Sequence, residues 1–292
     1  MARIDAHQHF WEVARGDYGW LVPQLGRIYR DYGPADLLPK LQACGISGTV
    51  LVQAAPTLAE SAYLLAIAER TPFVRGVVGW VDFEAEDAIA QIDQLARHAK
   101  LCGIRPMIQD IPDPDWMLDP RFAPVFRHLA ARGLVFDALV FPHHLPRLLR
   151  LLERHPDLRC VVDHCAKPRI AEGAFQPWAD AIARIARETA AFCKISGLVT
   201  EAGPGWTVAK LRPYVEHVLA VFGPERCLWG SDWPVLENVG SYEAWHAATL
   251  ELLAPLAEPA RAAILGGNAV RLYGLSLATE VQAPAADSGS SG

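Results

Sequence analysis

Short runs of β-branched and aliphatic residues recur eight times along this chain, separated in turn by stretches of helical periodicity. That alternation constrains the fold more than any other feature. The apolar runs centre on residues 3–7, 48–53, 74–80, 103–107, 134–139, 159–163, 192–196 and 226–229. Helical patterns fill 35–44, 58–70, 86–100, 120–132, 145–155, 178–189 and 208–222. Strands separated by helices pair in parallel, because a parallel crossover needs a connection of about a dozen residues and a helix supplies it. Eight such units predict one α/β domain, a (β/α)₈ barrel over residues 1–277, and 292 residues suit that architecture. A doubly wound open sheet is the alternative, but no glycine-rich fingerprint follows the first strand. That strand ends in histidines instead.

Composition narrows the function. The net charge is −6, with no block of like charge, which excludes a surface built to neutralise nucleic-acid phosphates and leaves a small molecule as the expected partner. The longest apolar runs, 48–55 and 134–141, are strand-length, so no membrane span is expected. Met1-Ala2-Arg3-Ile4-Asp5 carries no apolar leader core, and a cytoplasmic location with reduced thiols is the expectation. Cys44, Cys102, Cys160, Cys165, Cys193 and Cys227 form no C-x-x-C pair and read as small core residues. The Ala/Pro/Ser/Gly tail, 278–292, reads as disordered.

A barrel gathers its chemistry at the C-terminal ends of its strands. His7 and His9 fall at the end of the first strand, spaced so that both imidazoles share a face and converge as transition-metal ligands. The sixth strand ends Val162-Asp163-His164 and the eighth ends Trp229-Gly230-Ser231-Asp232, which puts His164 and Asp232 at the same rim. A backbone-satisfied histidine and a turn-forming aspartate are the bland readings of these two positions.

His7-Gln8-His9-Phe10-Trp11, Val162-Asp163-His164 with Lys167-Pro168, and Trp229-Gly230-Ser231-Asp232-Trp233-Pro234 together resemble the amidohydrolase-2 family, in order and from the first strand to the eighth. Within it the chain is most similar to the sugar-lactonase and dicarboxylate-lactonase group. The resemblance implies that His7, His9 and Asp232 meet one divalent metal, Zn²⁺ by preference, that Asp232 is the base toward water, and that His164 polarises the carbonyl. Metal-dependent relatives add a histidine at the end of the fifth strand, where this chain has Asp137-Ala138-Leu139, so the metal is expected to be weak or dispensable. His143 and His144 follow beside Pro142 and read as capping or packing residues.

The implied reaction is hydrolysis of a sugar lactone, L-fucono-1,5-lactone or a related L-aldonolactone, to the aldonic acid. Substrate contacts are expected from Arg105 at the fourth strand end, from Lys194 on the seventh, where Ser196 shares its face, and from Trp20 and Trp80 as stacking surfaces. Trp11 and Trp233 are further aromatic candidates, and the loop 10–34 is positioned to cover the site as a lid. Two alternatives stand beside this reading. A dicarboxylate lactonase or decarboxylase on the same barrel calls for several arginines at strand ends; a non-enzymatic sugar- or metal-binding protein needs the cluster without turnover.

Overall fold

The structure is a computed structural model and describes residues 2–277; the tail expected to be disordered lies outside them. The eight strands are β1 (Ile4–Gln8), β2 (Gly48–Val52), β3 (Val74–Gly79), β4 (Leu101–Ile104), β5 (Val135–Ala138), β6 (Cys160–Val162), β7 (Phe192–Ile195) and β8 (Cys227–Trp229). They lie side by side in chain order, every neighbouring pair parallel. The ring is drawn shut just past β8, where Asp232 N donates to His7 O at 2.8 Å and His9 N donates to Trp233 O at 2.7 Å.

Outside the ring run α1 (Pro34–Cys44), α2 (Leu58–Arg70), α3 (Ala88–Leu95), α4 (Ala123–Arg132), α5 (Leu145–Arg154), α6 (Trp178–Glu188), the short α7 (Leu198–Ala202), α8 (Val208–Phe222), α9 (Tyr242–Leu253), α10 (Glu258–Ala262) and α11 (Asn268–Tyr273). Polar caps start several of them: the side chains of Thr57, Thr207 and Ser241 accept from the backbone N–H groups of Glu60, Lys210 and Ala244. In α5, Leu145, Leu148, Leu149, Leu151 and Leu152 are buried while Arg150 and Arg154 face solvent, the stripe that seats a helix on a sheet. The third helix is shorter than the 86–100 pattern. It stops at Leu95 because turn bonds from Arg97 N and His98 N tighten the chain toward β4.

Two apolar clusters divide the molecule. The smaller holds Ile4, Ala6, Val50, Val52, Val78, Cys102, Val135, Val161 and Leu228, with Phe192 against it. Members from all eight strands can meet only inside the ring. Leu272, Tyr273 and Leu275, from α11 and just beyond it, join them and close the N-terminal end of the barrel. The larger cluster lies between strands and helices. All six cysteines are buried free thiols, as expected of core residues. Among the described residues no helix is long and apolar enough to cross a membrane.

Candidate active site

The mouth of the barrel is built on irregular strand ends. Pairing of β1 with β2 slips between Asp5 and Gln8. The Asp5 carboxylate therefore leaves the ring, accepting from His7 N at 3.1 Å, Ser231 N at 2.8 Å and Tyr242 Oη at 3.1 Å. These bonds clamp β1 to the segment after β8 and turn His7 toward the centre. Gly230 permits the approach, since a Cβ there would stand 2.7 Å from His7 Cβ. His9 Nδ1 donates to Val52 O at 2.8 Å. In the neutral ring Nε2 then presents its lone pair to Asp232 Oδ1, 3.3 Å away.

Asp232 has φ 60°, a left-handed conformation that aspartate tolerates better than most residues. Its Oδ1 sits among three imidazoles, 3.3 Å from His9 Nε2, 3.7 Å from His164 Nε2 and 3.9 Å from His7 Nε2. Burial alone would raise its pKa, but His164, His9 and His7, which turn cationic in acid, outweigh burial and hold the carboxyl well below the usual range. His7 itself is kept neutral by burial and by the neighbouring Lys194 ammonium.

Four consecutive non-glycine residues, His164, Cys165, Ala166 and Lys167, follow β6 with φ of 51°, 53°, 57° and 51°. A left-handed turn of L-residues costs about 1–2 kcal/mol per residue, so the surroundings must enforce it. Lys167 N donates to His164 O at 2.8 Å, Trp178 Nε1 donates to Cys165 O at 2.7 Å, and the Cys165 thiol reaches Lys194 O at 3.3 Å. The turn aims His164 across the mouth, with Ser196 Oγ 2.9 Å from its Nδ1. Burial pushes the His164 pKa down to about 4, so the ring is a neutral hydrogen-bonding group at physiological pH. Gly197, at φ 66°, lies against this ring, and a Cβ there would fall 2.7 Å from His164 Nδ1. Gly197→Ala should therefore displace the imidazole and lower kcat about 10- to 100-fold with a smaller change in KM, measured by steady-state kinetics. Wild-type kcat in that variant would remove His164 placement as a requirement.

A buried ionic layer supports these groups. Lys194 Nζ stands 2.6 Å from Asp137 Oδ2, 2.9 Å from Asp163 Oδ1 and 3.1 Å from His7 Nδ1. Tyr273 Oη donates to Asp137 Oδ2 at 2.7 Å. Arg105 grips Gln53, through the carbonyl oxygen and Oε1, and its Nη1 lies 3.3 Å from both Asp163 Oδ2 and His7 Nε2. Burial would raise Asp163, yet Lys194, His7 and Arg105 hold it well below its ordinary value. Burial lifts Asp137 to about 6 against the pull of Lys194.

Of the residues expected at the substrate, His9, His164, Asp232, Arg105 and Trp20 line one cavity of about 180 Å³, and Lys167 joins them. Trp20 is fixed there by donating to Ala54 O at 2.7 Å. Trp80 stands apart from this group, lining an adjoining cavity of about 610 Å³ that shares Trp20, Met107 and Asp110. Lys194 does not reach the cavity surface: it faces inward, as Ser196 does, but is fully buried beneath the floor by its own counter-ions. Trp11 and Trp233 are also fully buried. The loop 10–34 is tied down at Trp11 and Tyr32, which exchange backbone bonds of 3.0 and 2.9 Å. His144 caps its own turn, its Nδ1 accepting from Phe141 N at 3.1 Å. Asp137, Asp163 and Gln53 were not singled out from the sequence for a role. The available signal was an acid inside or ending an apolar strand, which is stable only with a partner.

Two donor sets can be tested for a metal ion: His7, His9 and Asp232, and His7, Asp163 and His164. In a tetrahedron with bonds of about 2.1 Å the ligand atoms stand about 3.4 Å apart. The Asp232 Oδ1 distances to His9 and His7, 3.3 and 3.9 Å, bracket that value, and an aspartate facing an imidazole lone pair suits a bridging cation. The first set suits one divalent ion by its donors, with the Arg105 guanidinium as the fixed cation beside it, 3.3 Å from His7 Nε2. The second lies against the Lys194 ammonium, 2.9 Å from Asp163 Oδ1 and 3.1 Å from His7 Nδ1, which puts a fixed cation where a second ion would go.

An eight-stranded parallel barrel whose mouth joins His7 and His9 from the end of β1, His164 from just past β6 and Asp232 from just past β8 has its polar donors where barrel enzymes carry their chemistry. Residues 4–275 match the amidohydrolase family, and the chain belongs to it. It is 48% identical over 275 residues to an L-fucono-1,5-lactonase of Burkholderia ambifaria, covering 93% of this chain and 95% of that protein. An L-fucono-1,5-lactonase of Burkholderia multivorans is 36% identical, over 94% of this chain and 96% of its own length. Among solved structures, an amidohydrolase from Burkholderia multivorans with bound zinc superimposes with a TM-score of 0.89 at 35% identity, over 94% of this chain and all of that one.

Proposed function

We propose that the protein hydrolyses an L-sugar lactone, L-fucono-1,5-lactone or a close relative, with Asp232 as general base and His164 polarising the carbonyl. The chain is a carboxylic ester hydrolase acting on lactones, a reading supported by its family and its 48% identity to a lactonase. One observation carries the assignment of roles: an anionic, acceptor-only Asp232 and a neutral His164 stand side by side, Oδ1 3.7 Å from Nε2, on the wall of one cavity of about 180 Å³.

Water beside Asp232 gives a proton to its carboxylate as the oxygen attacks the ring carbonyl, and His164 donates a hydrogen bond to the carbonyl oxygen as it gains charge. Breaking the ring C–O bond returns the proton from Asp232 to the departing ring oxygen, leaving a hydroxyl and a carboxylic acid that ionises at neutral pH. A single carboxylate base suits an activated ester better than an amide, and makes placement of the water the larger contribution. A divalent ion, zinc by the precedent of the relative, would be held by His7, His9 and Asp232 and supply Lewis acidity. Arg105 and Trp20 orient the sugar within the cavity, Trp80 contacts whatever part of the substrate extends toward the neighbouring chamber, and Lys194 acts through His7. The dicarboxylate alternative is not favoured, because among the described residues Arg105 is the single arginine lining the cavity.

The test is proton release from freshly prepared L- and D-aldonolactones, corrected for spontaneous hydrolysis, with untreated, chelator-treated and Zn²⁺-restored protein. The expected result is acceleration confined to a few L-lactones and a loss on chelation that Zn²⁺ reverses. No acceleration on any lactone overturns the proposal, and full activity after verified metal removal assigns the chemistry to Asp232 and His164 alone.

A further inference from the structure

Three cations stand in or beneath the catalytic cavity, and two are already committed. Arg105 is held by Gln53 and Asp163, and Lys194 by Asp137 and Asp163. The third, Lys167, lines the cavity wall; among the described residues no carboxylate lies within salt-bridge distance of its ammonium, and Glu201 is a partly buried carboxylate that feels its charge from farther off. Its ammonium rests 5.6 Å from the centre of the Phe141 ring. Lys167 and His164 are the two ends of the left-handed turn, joined by the 2.8 Å bond from Lys167 N to His164 O. The backbone conformation that places the His164 imidazole thus also carries Lys167 to the wall of the cavity that His164 and Asp232 line.

Lactone hydrolysis turns a neutral ring into an anion. Charge first develops on the carbonyl oxygen and then persists as the product carboxylate, formed beside the buried anion Asp232. Two like charges this close in a low-dielectric pocket repel strongly unless a cation faces them. We propose that Lys167 is that cation: a catalytic residue that stabilises the carbonyl oxyanion and a binding site for the carboxylate of the aldonate product. This rests on the lactonase reading for its kinetic consequence, but the anion-binding claim stands on geometry and can be tested separately.

The experiment compares binding of L-fuconate with that of L-fucitol, the neutral alditol of the same skeleton, by calorimetry on the intact protein with its metal content measured. Wild type, Lys167→Met and Lys167→Arg are used, with thermal midpoints as the check on folding. The expected result is a loss in L-fuconate affinity of about 10- to 100-fold in Lys167→Met, with L-fucitol binding unchanged and Lys167→Arg largely restored. In parallel, kcat on L-fucono-1,5-lactone should fall by a similar factor with KM little altered. Equal losses for the anion and the alditol would assign Lys167 a structural role, and unchanged L-fuconate binding would also overturn the proposal. If wild type binds L-fuconate through Lys167 yet opens no lactone, the lactonase reading fails and the anion site survives.

Discussion

Asp232→Asn is expected to lower kcat about 10³-fold or more while leaving the barrel folded. An amide keeps one acceptor oxygen but cannot take the water proton. Asparagine tolerates the φ of 60° at this position as aspartate does, so the turn after β8 should persist. The bonds that close the ring there, Asp232 N to His7 O and His9 N to Trp233 O, are made by backbone and survive the change. The measurement is kcat above the uncatalysed rate, alongside circular dichroism, the thermal midpoint and metal content. Metal content separates the two roles of the side chain: a variant that keeps its ion and loses turnover identifies the base. Turnover within about tenfold of wild type would sink the assignment.

Lys194→Met carries the largest expected effect on stability. The side chain is fully buried, and its ammonium is the cation shared by Asp137 and Asp163. Methionine fills a similar volume but leaves two carboxylates facing each other without it. Removing one partner of a buried ion cluster costs about 3–5 kcal/mol, because the remaining charges are uncompensated. For a chain of this size that corresponds to a fall in thermal midpoint of roughly 6–15 °C. Pairing the change with Asp137→Asn removes one orphaned charge and should recover part of the loss, a double-mutant comparison read by the same unfolding scans. A midpoint within about 2 °C of wild type for the single variant would mean that the layer carries little net stability.

Much of this was legible in the chain. Each of the eight apolar runs became a strand within a few residues, because a parallel barrel strand buried on both faces must read as a short continuous apolar segment. Their C-terminal ends also located His7, His9, Arg105, His164 and Asp232, since strand ends are where a barrel's interior opens. The elements after β8 were not legible as helices. In α9, Trp245, His246 and Thr249 are buried beside Tyr242 and Leu252, a mixed face that blurs the periodic signal.

The sequence by itself therefore determined the barrel, the order of its units and the rim residues, all of which follow from local periodicity and position along a strand. Only the tertiary structure decided the partners. Lys194 and Ser196 share one face of β7, yet one is sealed beneath the cavity by Asp137 and Asp163 while the other positions His164. Nor does spacing reveal the left-handed turn at 164–167, which residues from α6 and β7 enforce through Trp178 and Lys194. Those outcomes depend on charges and hydrogen bonds meeting between segments far apart in the chain, and a pattern read along one strand contains no term for them.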